Sequence, residues 1–193
     1  MVVAIAGVIT VILVLITIAI IAKKGSKKGK SGNRVLFKTD MGDFEVGLYS
    51  SKAPISAKNF LNYVEKGFYA GTIFHRVMPG FMLQGGGFTD KMVLKKTLPP
   101  IRNEASNGIK NTRCTLSMAR TKDPHSANSQ FFVNVVDNKS LDPGFDKPGY
   151  AVFAKITKGM DVIDEIAKVA TKNHGNHANV PVKPIHIISA KIL

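Results

Sequence analysis

Two kinds of hydrophobic pattern divide the chain. Residues 2–22 are 21 consecutive residues without a charge, and as a helix this length spans the hydrocarbon core of a bilayer. Backbone groups in lipid must form their hydrogen bonds within the segment, which favours a helix despite the many β-branched side chains. No basic residue precedes the run and residues 20–22 form a weak cleavage site, so the pattern favours an uncleaved transmembrane anchor over residues 1–22 rather than a signal peptide.

After residue 34 the pattern changes to short stretches in which apolar and polar residues alternate. Phe44, Val46 and Leu48 alternate with polar or small residues within 43–49, and this stretch together with 35–39 predicts a hairpin with one buried face. Six further stretches have strand-like patterns: 72–77, 81–84, 114–118, 130–136, 150–156 and 185–193. Together they predict a mainly β domain over residues 35–193.

Two stretches have the spacing of amphipathic helices. The first begins at Pro54, which suits the first turn of a helix, and ends before Gly67. Its predicted inward stripe consists of Ala57, Phe60, Leu61 and Val64. The second helix is predicted over Met160–Val169, with Val162, Ile163, Ile166 and Val169 facing inward. Many short strands, two helices and a long loop over 88–112 are typical of a closed antiparallel barrel with capped ends.

The charge of the chain is strongly positive and unevenly placed. It has 27 Lys and Arg against 13 Asp and Glu, a net charge of +14. Six basic residues lie within 23–34, interleaved with Gly and Ser as in a flexible linker: Lys23, Lys24, Lys27, Lys28, Lys30 and Arg34. This cluster is placed to contact anionic lipid headgroups. The other 21 basic residues are dispersed, without a recognisable nucleic-acid-binding module, which predicts a solvated surface and no nucleic-acid partner.

Three features that could support other chemistry are weak. Cys114 is the only cysteine, which excludes an internal disulfide, and its strand-like surroundings predict a small buried residue rather than a nucleophile. His174 and His177 have a spacing that could join a metal site, but two imidazoles without further ligands nearby favour an ordinary loop. Gly85 to Gly87 lack the Lys-Ser/Thr of a phosphate-binding loop. No metal and no cofactor is predicted.

The most unusual stretch of the domain is 74–87, with the sequence FHRVMPGFMLQGGG. A Pro-Gly turn divides it into two strands, which places Arg76 beside the strand of residues 81–84. No Asp or Glu lies between Glu65 and Asp90, so the arginine has no acidic partner in the segment. A guanidinium keeps its charge, and in apolar surroundings it either faces a substrate or packs its stem on the sheet while its head reaches water. Both explanations are compatible with this stretch alone.

A second notable stretch is 126–134, with the sequence SANSQFFVN. Together with FHRVMPGFMLQGG and with SMAR at 117–120, it resembles the cyclophilin family of peptidyl-prolyl isomerases, and the resemblance extends from about residue 35 to the C-terminus. The segments ARTKDPHSANSQFF and GMDVIDEIAKV are similar to bacterial members. The resemblance implies an eight-stranded barrel and an enzyme that accelerates rotation about X-Pro bonds without a cofactor or a metal.

The resemblance also implies roles for individual residues. Arg76 matches the catalytic guanidinium aimed at the prolyl nitrogen, and Gln84 matches its hydrogen-bonding partner. The residues implied for the proline pocket are Phe81, Met82, Phe132 and Leu141, closed by Tyr150. Those implied to contact the residues before proline are Ala119, Arg120 and Gln130. Strand alternation places Phe131 and Phe132 on opposite sides, so that one can belong to the core while the other lines the pocket.

Two positions depart from the best-known eukaryotic members. Ser140 stands where those members have a tryptophan, and Tyr150 stands where they have a histidine. A tyrosine can still close the pocket and donate a hydrogen bond. Loss of the indole donor predicts weak binding of cyclosporin without loss of isomerisation.

The sequence therefore predicts a monomeric, membrane-tethered isomerase acting on proline-containing polypeptides. The rival function is a non-catalytic module that binds proline peptides or acts as a chaperone, because the same pocket would serve both. Basic residues follow the anchor and none precede it, which favours a single-pass protein of the bacterial inner membrane with its domain in the cytoplasm. A periplasmic domain is the alternative, since N-terminal apolar segments commonly export a following domain.

Overall fold

The computed structural model describes residues 32–193. The predicted anchor over 1–22 and most of the predicted linker lie outside these residues. Within 32–193 no helix is both long enough and apolar enough to cross a membrane. Arg34, predicted as the last linker residue, is the first residue of a strand and pairs with Gly47.

The described residues form ten strands, two α-helices and two short 3-10 helices. The strands are β1 (Arg34–Thr39), β2 (Gly42–Leu48), β3 (Thr72–Met78), β4 (Met82–Gly85), β5 (Thr115–Met118), β6 (Phe131–Asn134), β7 (Val152–Lys158), β8 (Thr171–His174), β9 (His177–Pro181) and β10 (His186–Ile192). The α-helices are α1 (Pro54–Glu65) and α2 (Met160–Ile166), and the 3-10 helices are Ala105–Asn107 and Lys139–Leu141.

Eight of these strands close into an antiparallel barrel in the order β1-β10-β3-β4-β6-β5-β7-β2. β1 completes the ring because it pairs with β2 along one edge and with β10 along the other. The predicted closed barrel with two helices is therefore confirmed. β8 and β9 form a separate two-stranded hairpin, and β9 lies alongside β3.

An aromatic core fills the barrel, as strand alternation requires. The inward rings of Phe37 on β1 and Phe44 on β2 stack at a centroid distance of 4.8 Å. Phe60 of α1 is buried against Phe37 and Phe153, at 5.9 and 5.1 Å, and Phe131 of β6 joins the same cluster. Because side chains fill the interior of so small a barrel, functional groups must project from its outer surface.

The second helix is shorter than predicted. α2 ends at Ile166, because the N–H of Val169 bonds to the carbonyl of Ile166, three residues back, and the chain tightens into a turn. Ile163 and Ile166 are buried as predicted. Val162 and Val169, and Leu61 of α1, are only partly buried.

Two predictions for connecting residues were wrong. Cys114, predicted to be buried within a strand, has a left-handed backbone (φ 72°) and is half-buried, so β5 begins only at Thr115. His174 and His177, predicted to lie in a loop, are the facing ends of β8 and β9 on either side of a two-residue turn. Alternation could not reveal this hairpin, because β8 contains no apolar residue.

Gly159 connects β7 to α2 and is under a severe backbone constraint. Its φ is 79°, and a Cβ here would lie 2.5 Å from the carbonyl oxygen of Asp43 and 2.8 Å from Cα of Phe44. We expect Gly159→Ala to lower the free energy of unfolding by about 3 kcal/mol, through the left-handed backbone and the clash together. Gly108 has a φ of 80° with nothing within 4 Å, so Gly108→Ala is the matched control and should cost about 1 kcal/mol. Urea unfolding measures both losses, and equal losses would contradict the clash.

Candidate active site

The pairing of β3 with β4 brings residues of the 74–87 stretch together on the outer surface. Arg76 is opposite Gln84, and Met78 is opposite Met82. The intervening Val77 belongs to the barrel core. Arg76 and Gln84, predicted on neighbouring strands, are thus direct cross-strand neighbours.

A β-bulge at His75 turns Arg76 to the outer surface. Phe74 pairs with Gly85 and Arg76 pairs with Gln84, so His75 is an extra residue on β3. Without the bulge, alternation would place Arg76 on the same side as Phe74, which is fully buried in the core. Bulges re-aim side chains in this way and are frequent beside active sites.

The outer surface around this pair forms an open cleft of about 270 Å³. Nine of the ten site residues expected from the sequence line it: Arg76, Phe81, Met82, Gln84, Ala119, Arg120, Phe132, Leu141 and Tyr150. The tenth, Gln130, lies beside the cleft, where its Oε1 accepts a hydrogen bond from Nε2 of Gln84 at 2.9 Å. Ser140, next to Leu141 in the 3-10 helix, is exposed.

One side of the cleft is an apolar pocket. Met82, Ala119 and Phe132 are its buried residues. Its partly buried walls are Phe81, Leu141 and Tyr150. The rings of Phe132 and Tyr150 meet edge to face at a centroid distance of 5.6 Å. The neighbouring Phe131 lies in the barrel core instead, as strand alternation predicts.

The two arginines of the cleft differ in how their guanidinium groups are bonded. Arg120 donates to the carbonyl oxygen of Gly149 at 3.0 and 3.2 Å and to that of Thr121 at 2.8 Å, and it lies 4.3 Å from the ring centre of Tyr150. Its donors therefore hold the surrounding loops together. Arg76 lines the cleft, half-buried, and among residues 32–193 its guanidinium has neither an ion-pair partner nor a hydrogen-bond acceptor. Its donors are available to a bound molecule.

A second cleft of about 290 Å³ adjoins the first and shares Gln84, Ala119 and Arg120 with it. Gly87 makes room for the side chain of Gln130, because a Cβ at position 87 would lie 2.5 Å from Cγ of Gln130. Thr121 and Ser126 add polar groups to its lining. An extended peptide that places a ring in the apolar pocket would therefore find hydrogen-bonding groups alongside.

A buried network of asparagines supports the pocket and was not among the predicted site residues. Asn138 donates to the carbonyl oxygen of Phe81 at 2.9 Å and to Oδ1 of Asn134 at 2.7 Å. Asn111 donates to Asp142 from its backbone and its side chain, at 2.8 and 3.1 Å, and so fixes the chain that follows the 3-10 helix. The signal that could have revealed the network is an asparagine, Asn134, at the end of an otherwise apolar strand.

His75, the bulge residue, is a second feature that the sequence did not reveal. It is buried, and its Nδ1 has no partner among the described residues. Its ring lies 4.7 Å from that of Phe88, which meets the ring of His177 at 5.2 Å. Burial, and to a lesser degree the charges of His177 and Arg76, lowers the pKa of His75 to about 4 from the ordinary 6.5. A neutral imidazole therefore packs beside Arg76 at neutral pH.

Comparisons with known proteins all identify the same family. A family model described as cyclophilin type peptidyl-prolyl cis-trans isomerase/CLD matches residues 34–192. A peptidyl-prolyl cis-trans isomerase of Acinetobacter baylyi is 59% identical over 158 residues, which cover 82% of this chain and 84% of that protein. Peptidyl-prolyl cis-trans isomerase B of Escherichia coli is 52% identical over 161 residues, which cover 82% of this chain and 98% of that protein.

Solved structures give the same result for the fold. A cyclophilin type peptidyl-prolyl cis-trans isomerase of Cryptosporidium parvum matches with a TM-score of 0.69 and 26% identity, covering 83% of this chain and 97% of that one. A structure of the same protein in the presence of the dipeptide Ala-Pro matches with the same TM-score of 0.69.

The lowered pKa of His75 predicts a pH-dependent loss of stability. Below pH 6.5 the unfolded chain takes up a proton on this residue that the folded protein does not accept until about pH 4, so stability falls as the pH falls through this window. Between pH 7.5 and pH 5.0 we expect the unfolding free energy of the natural protein to drop by about 2 kcal/mol more than that of His75→Gln. Urea titrations at the two pH values measure this difference.

The matched control for this prediction is His174→Gln, which removes an exposed imidazole of β8. The control should lose the same stability between the two pH values as the natural protein. A His75→Gln variant with an unchanged pH dependence would show that the buried imidazole accepts a proton in the folded state.

Proposed function

The chain belongs to the cyclophilin-type peptidyl-prolyl cis-trans isomerase family, and on this premise we propose that Arg76 is the catalytic group of an isomerase that residues 2–22 tether to a membrane. The activity itself follows from the family and the bacterial relatives. The observation that carries the assignment to Arg76 is a guanidinium without a partner among the described residues at the edge of an apolar pocket.

The reaction needs stabilisation of a twisted bond and no bond cleavage. A peptide C–N bond resists rotation by roughly 18–20 kcal/mol, because the nitrogen lone pair is delocalised into the carbonyl. Halfway through the rotation this lone pair is localised on the nitrogen and can accept a hydrogen bond. A donor aimed at the prolyl nitrogen therefore stabilises the transition state more than either planar isomer, which is the requirement for catalysis.

The pocket supplies the fixed end of the rotating bond. We assign the proline ring to the space between Phe81, Met82, Phe132 and Leu141, which Tyr150 closes. The ring is apolar, and its burial holds one side of the bond in place while the preceding carbonyl turns. We assign the contacts with the residues before proline to Ala119, Arg120 and Gln130, which line the adjoining cleft.

Arg76 and Gln84 supply the electrostatic stabilisation of the transition state. As direct cross-strand neighbours they face the same cleft, and Gln84 is itself oriented by its bond to Gln130. Half-burial limits the movement of the Arg76 side chain, and a donor that moves little loses little free energy to reorganisation when the transition state forms. An acceleration of about five powers of ten corresponds to roughly 7 kcal/mol of selective stabilisation, which one charged donor and desolvation in a preformed site can supply together.

Removal of the Arg76 guanidinium should abolish most turnover while the fold persists. We expect Arg76→Ala to lower kcat/KM on an X-Pro peptide by at least about 100-fold, or about 3 kcal/mol of transition-state stabilisation. Arg76→Lys should recover little of this loss, since a point charge lacks the planar fork. A protease-coupled or NMR exchange assay measures the rates, and urea unfolding checks the fold.

The matched control is Arg102→Ala, which removes an exposed arginine that does not line the cleft. It should retain the natural rate. Near-natural kcat/KM in Arg76→Lys would show that directed donation by the guanidinium is the wrong mechanism.

The charges beside the proposed tether indicate on which side of the membrane the domain lies. Residues 2–22 carry no charge, and six basic residues follow them by residue 34. Basic residues close to a membrane-spanning segment are retained on the cytoplasmic side. We therefore propose a single-pass protein of the bacterial inner membrane with its catalytic domain in the cytoplasm, near newly made chains that contain X-Pro bonds.

Protease protection tests the side of the membrane. In intact spheroplasts we expect added protease to leave the domain intact, and after lysis to digest it. A cytoplasmic enzyme and a periplasmic one serve as protected and digested controls in the same sample. Digestion of the domain before lysis would place it in the periplasm and contradict the charge rule.

A further inference from the structure

The barrel order divides the eight strands into two contiguous halves. β3, β4, β6 and β5 carry or border the cleft, whereas β7, β2, β1 and β10 form the opposite half of the ring. Side chains that face outward from β2 and β1, the middle of the second half, therefore lie on the far side of the barrel from the cleft over β4 and β6, whereas β10 is the direct neighbour of β3.

Strand pairing gathers basic residues on this far side although they are scattered in sequence. Leu36 on β1 lies between Lys191 on β10 and Glu45 on β2. Glu45 is in turn opposite Lys158 on β7. The five cations of these strands, here called the basic face, are Arg34, Lys38, Lys155, Lys158 and Lys191.

Glu45 is the more central of two acidic side chains within the basic face, and it lies beneath the cations. Its side chain is 14% exposed and bridges Arg34 at 3.5 Å and Lys158 at 2.9 Å. The side chains of Arg34 and Lys158 are 57% and 68% exposed. Glu45 therefore orients two cations whose charged ends still reach solvent.

The rest of the basic face is less neutralised. Asp43, the other acid, pairs with Lys38 at 3.3 Å. Lys155 and Lys191 are exposed and have no ion-pair partner among residues 32–193. On the outward positions of the four strands themselves, five cations therefore stand against two carboxylate side chains.

We propose that the basic face binds anionic lipid headgroups and lays the domain on the membrane with its cleft pointing away. This inference rests on the proposed tether. Arg34 is both the first residue of β1 and the last of the six basic residues that follow the apolar segment. The chain thus enters the domain at the first residue of β1, which lies between β10 and β2 in the ring, so the basic residues of the linker sequence lead directly into the basic face.

The chemistry favours a lipid surface over a nucleic acid. Each Lys or Arg near an anionic surface adds attraction that falls off within a Debye length. Sequence-tolerant binding of single strands uses aromatic side chains that stack on bases. The outward positions of these strands contain Leu36, Ile188 and Ser189 but no Phe, Tyr or Trp. The one imidazole among them, that of His186, bonds to Asp40 at 3.0 Å.

Vesicle co-sedimentation of a fragment of residues 33–193 tests the proposal without the apolar segment. The fragment contains the closed barrel and its core, and the E. coli relative, 98% of which aligns with this chain, consists of little else. We expect binding to vesicles of phosphatidylcholine with phosphatidylglycerol, no binding to phosphatidylcholine alone, and release at high salt.

Two triple variants distinguish binding by the basic face from a general effect of net charge. Lys155→Gln/Lys158→Gln/Lys191→Gln removes three charges from the basic face and should weaken vesicle binding at least on the order of tenfold. The control set removes three exposed charges in the loops that follow β4, β5 and β6, which belong to the half of the ring that carries the cleft: Lys91→Gln, Lys122→Gln and Lys147→Gln. It should change binding by less than about threefold, and both sets should leave peptide isomerisation unchanged.

Three results would overturn the proposal. The fragment could fail to bind anionic vesicles at low salt, the two triple variants could lose binding equally, or the fragment could bind single-stranded RNA as strongly as the vesicles. Failure of the tether has a different signature, which is release of the full chain from membranes by alkaline carbonate. Vesicle binding of the fragment does not depend on that result.

Discussion

The filled interior of the barrel is the constraint on which the rest of the structure depends. Eight strands enclose only enough space for their own inward side chains, and here aromatic rings such as Phe37, Phe44 and Phe131 occupy it. Any group that meets a polypeptide substrate must therefore stand on an outward position of a strand. This makes the two-residue period of each strand decisive, because it sends Phe131 into the core and Phe132 into the pocket.

The period alone would have placed Arg76 wrongly, and the bulge corrects it. In a regular strand Phe74 and Arg76, two residues apart, would face the same side. The extra residue His75 lets Phe74 face the core while Arg76 faces outward. The side chain of His75 is buried against Phe88, under the β8–β9 hairpin. A neutral imidazole suits that position, since a second positive charge beside the guanidinium would be both desolvated and repelled.

Features encoded in short segments could be predicted from the sequence, and features that depend on pairing could not. The strands, the first helix and the proximity of Arg76 to Gln84 follow from alternation and a Pro-Gly turn. The hairpin at His174 has no local hydrophobic signal. The asparagine network shows locally only as Asn134 at the end of an apolar strand, which does not identify its partners. Resemblance to a family supplied the site residues that periodicity could not.

The charge distribution is the clearest case of information that only pairing provides. Along the chain the lysines of the domain are scattered, and that scatter favours a uniformly solvated surface. Register places five cations on the half of the ring that faces away from the cleft. The outward surfaces of β1 and β2 and the cleft over β4 and β6 lie on opposite sides of the filled barrel, so the domain can rest on an anionic surface while its cleft stays open to a polypeptide.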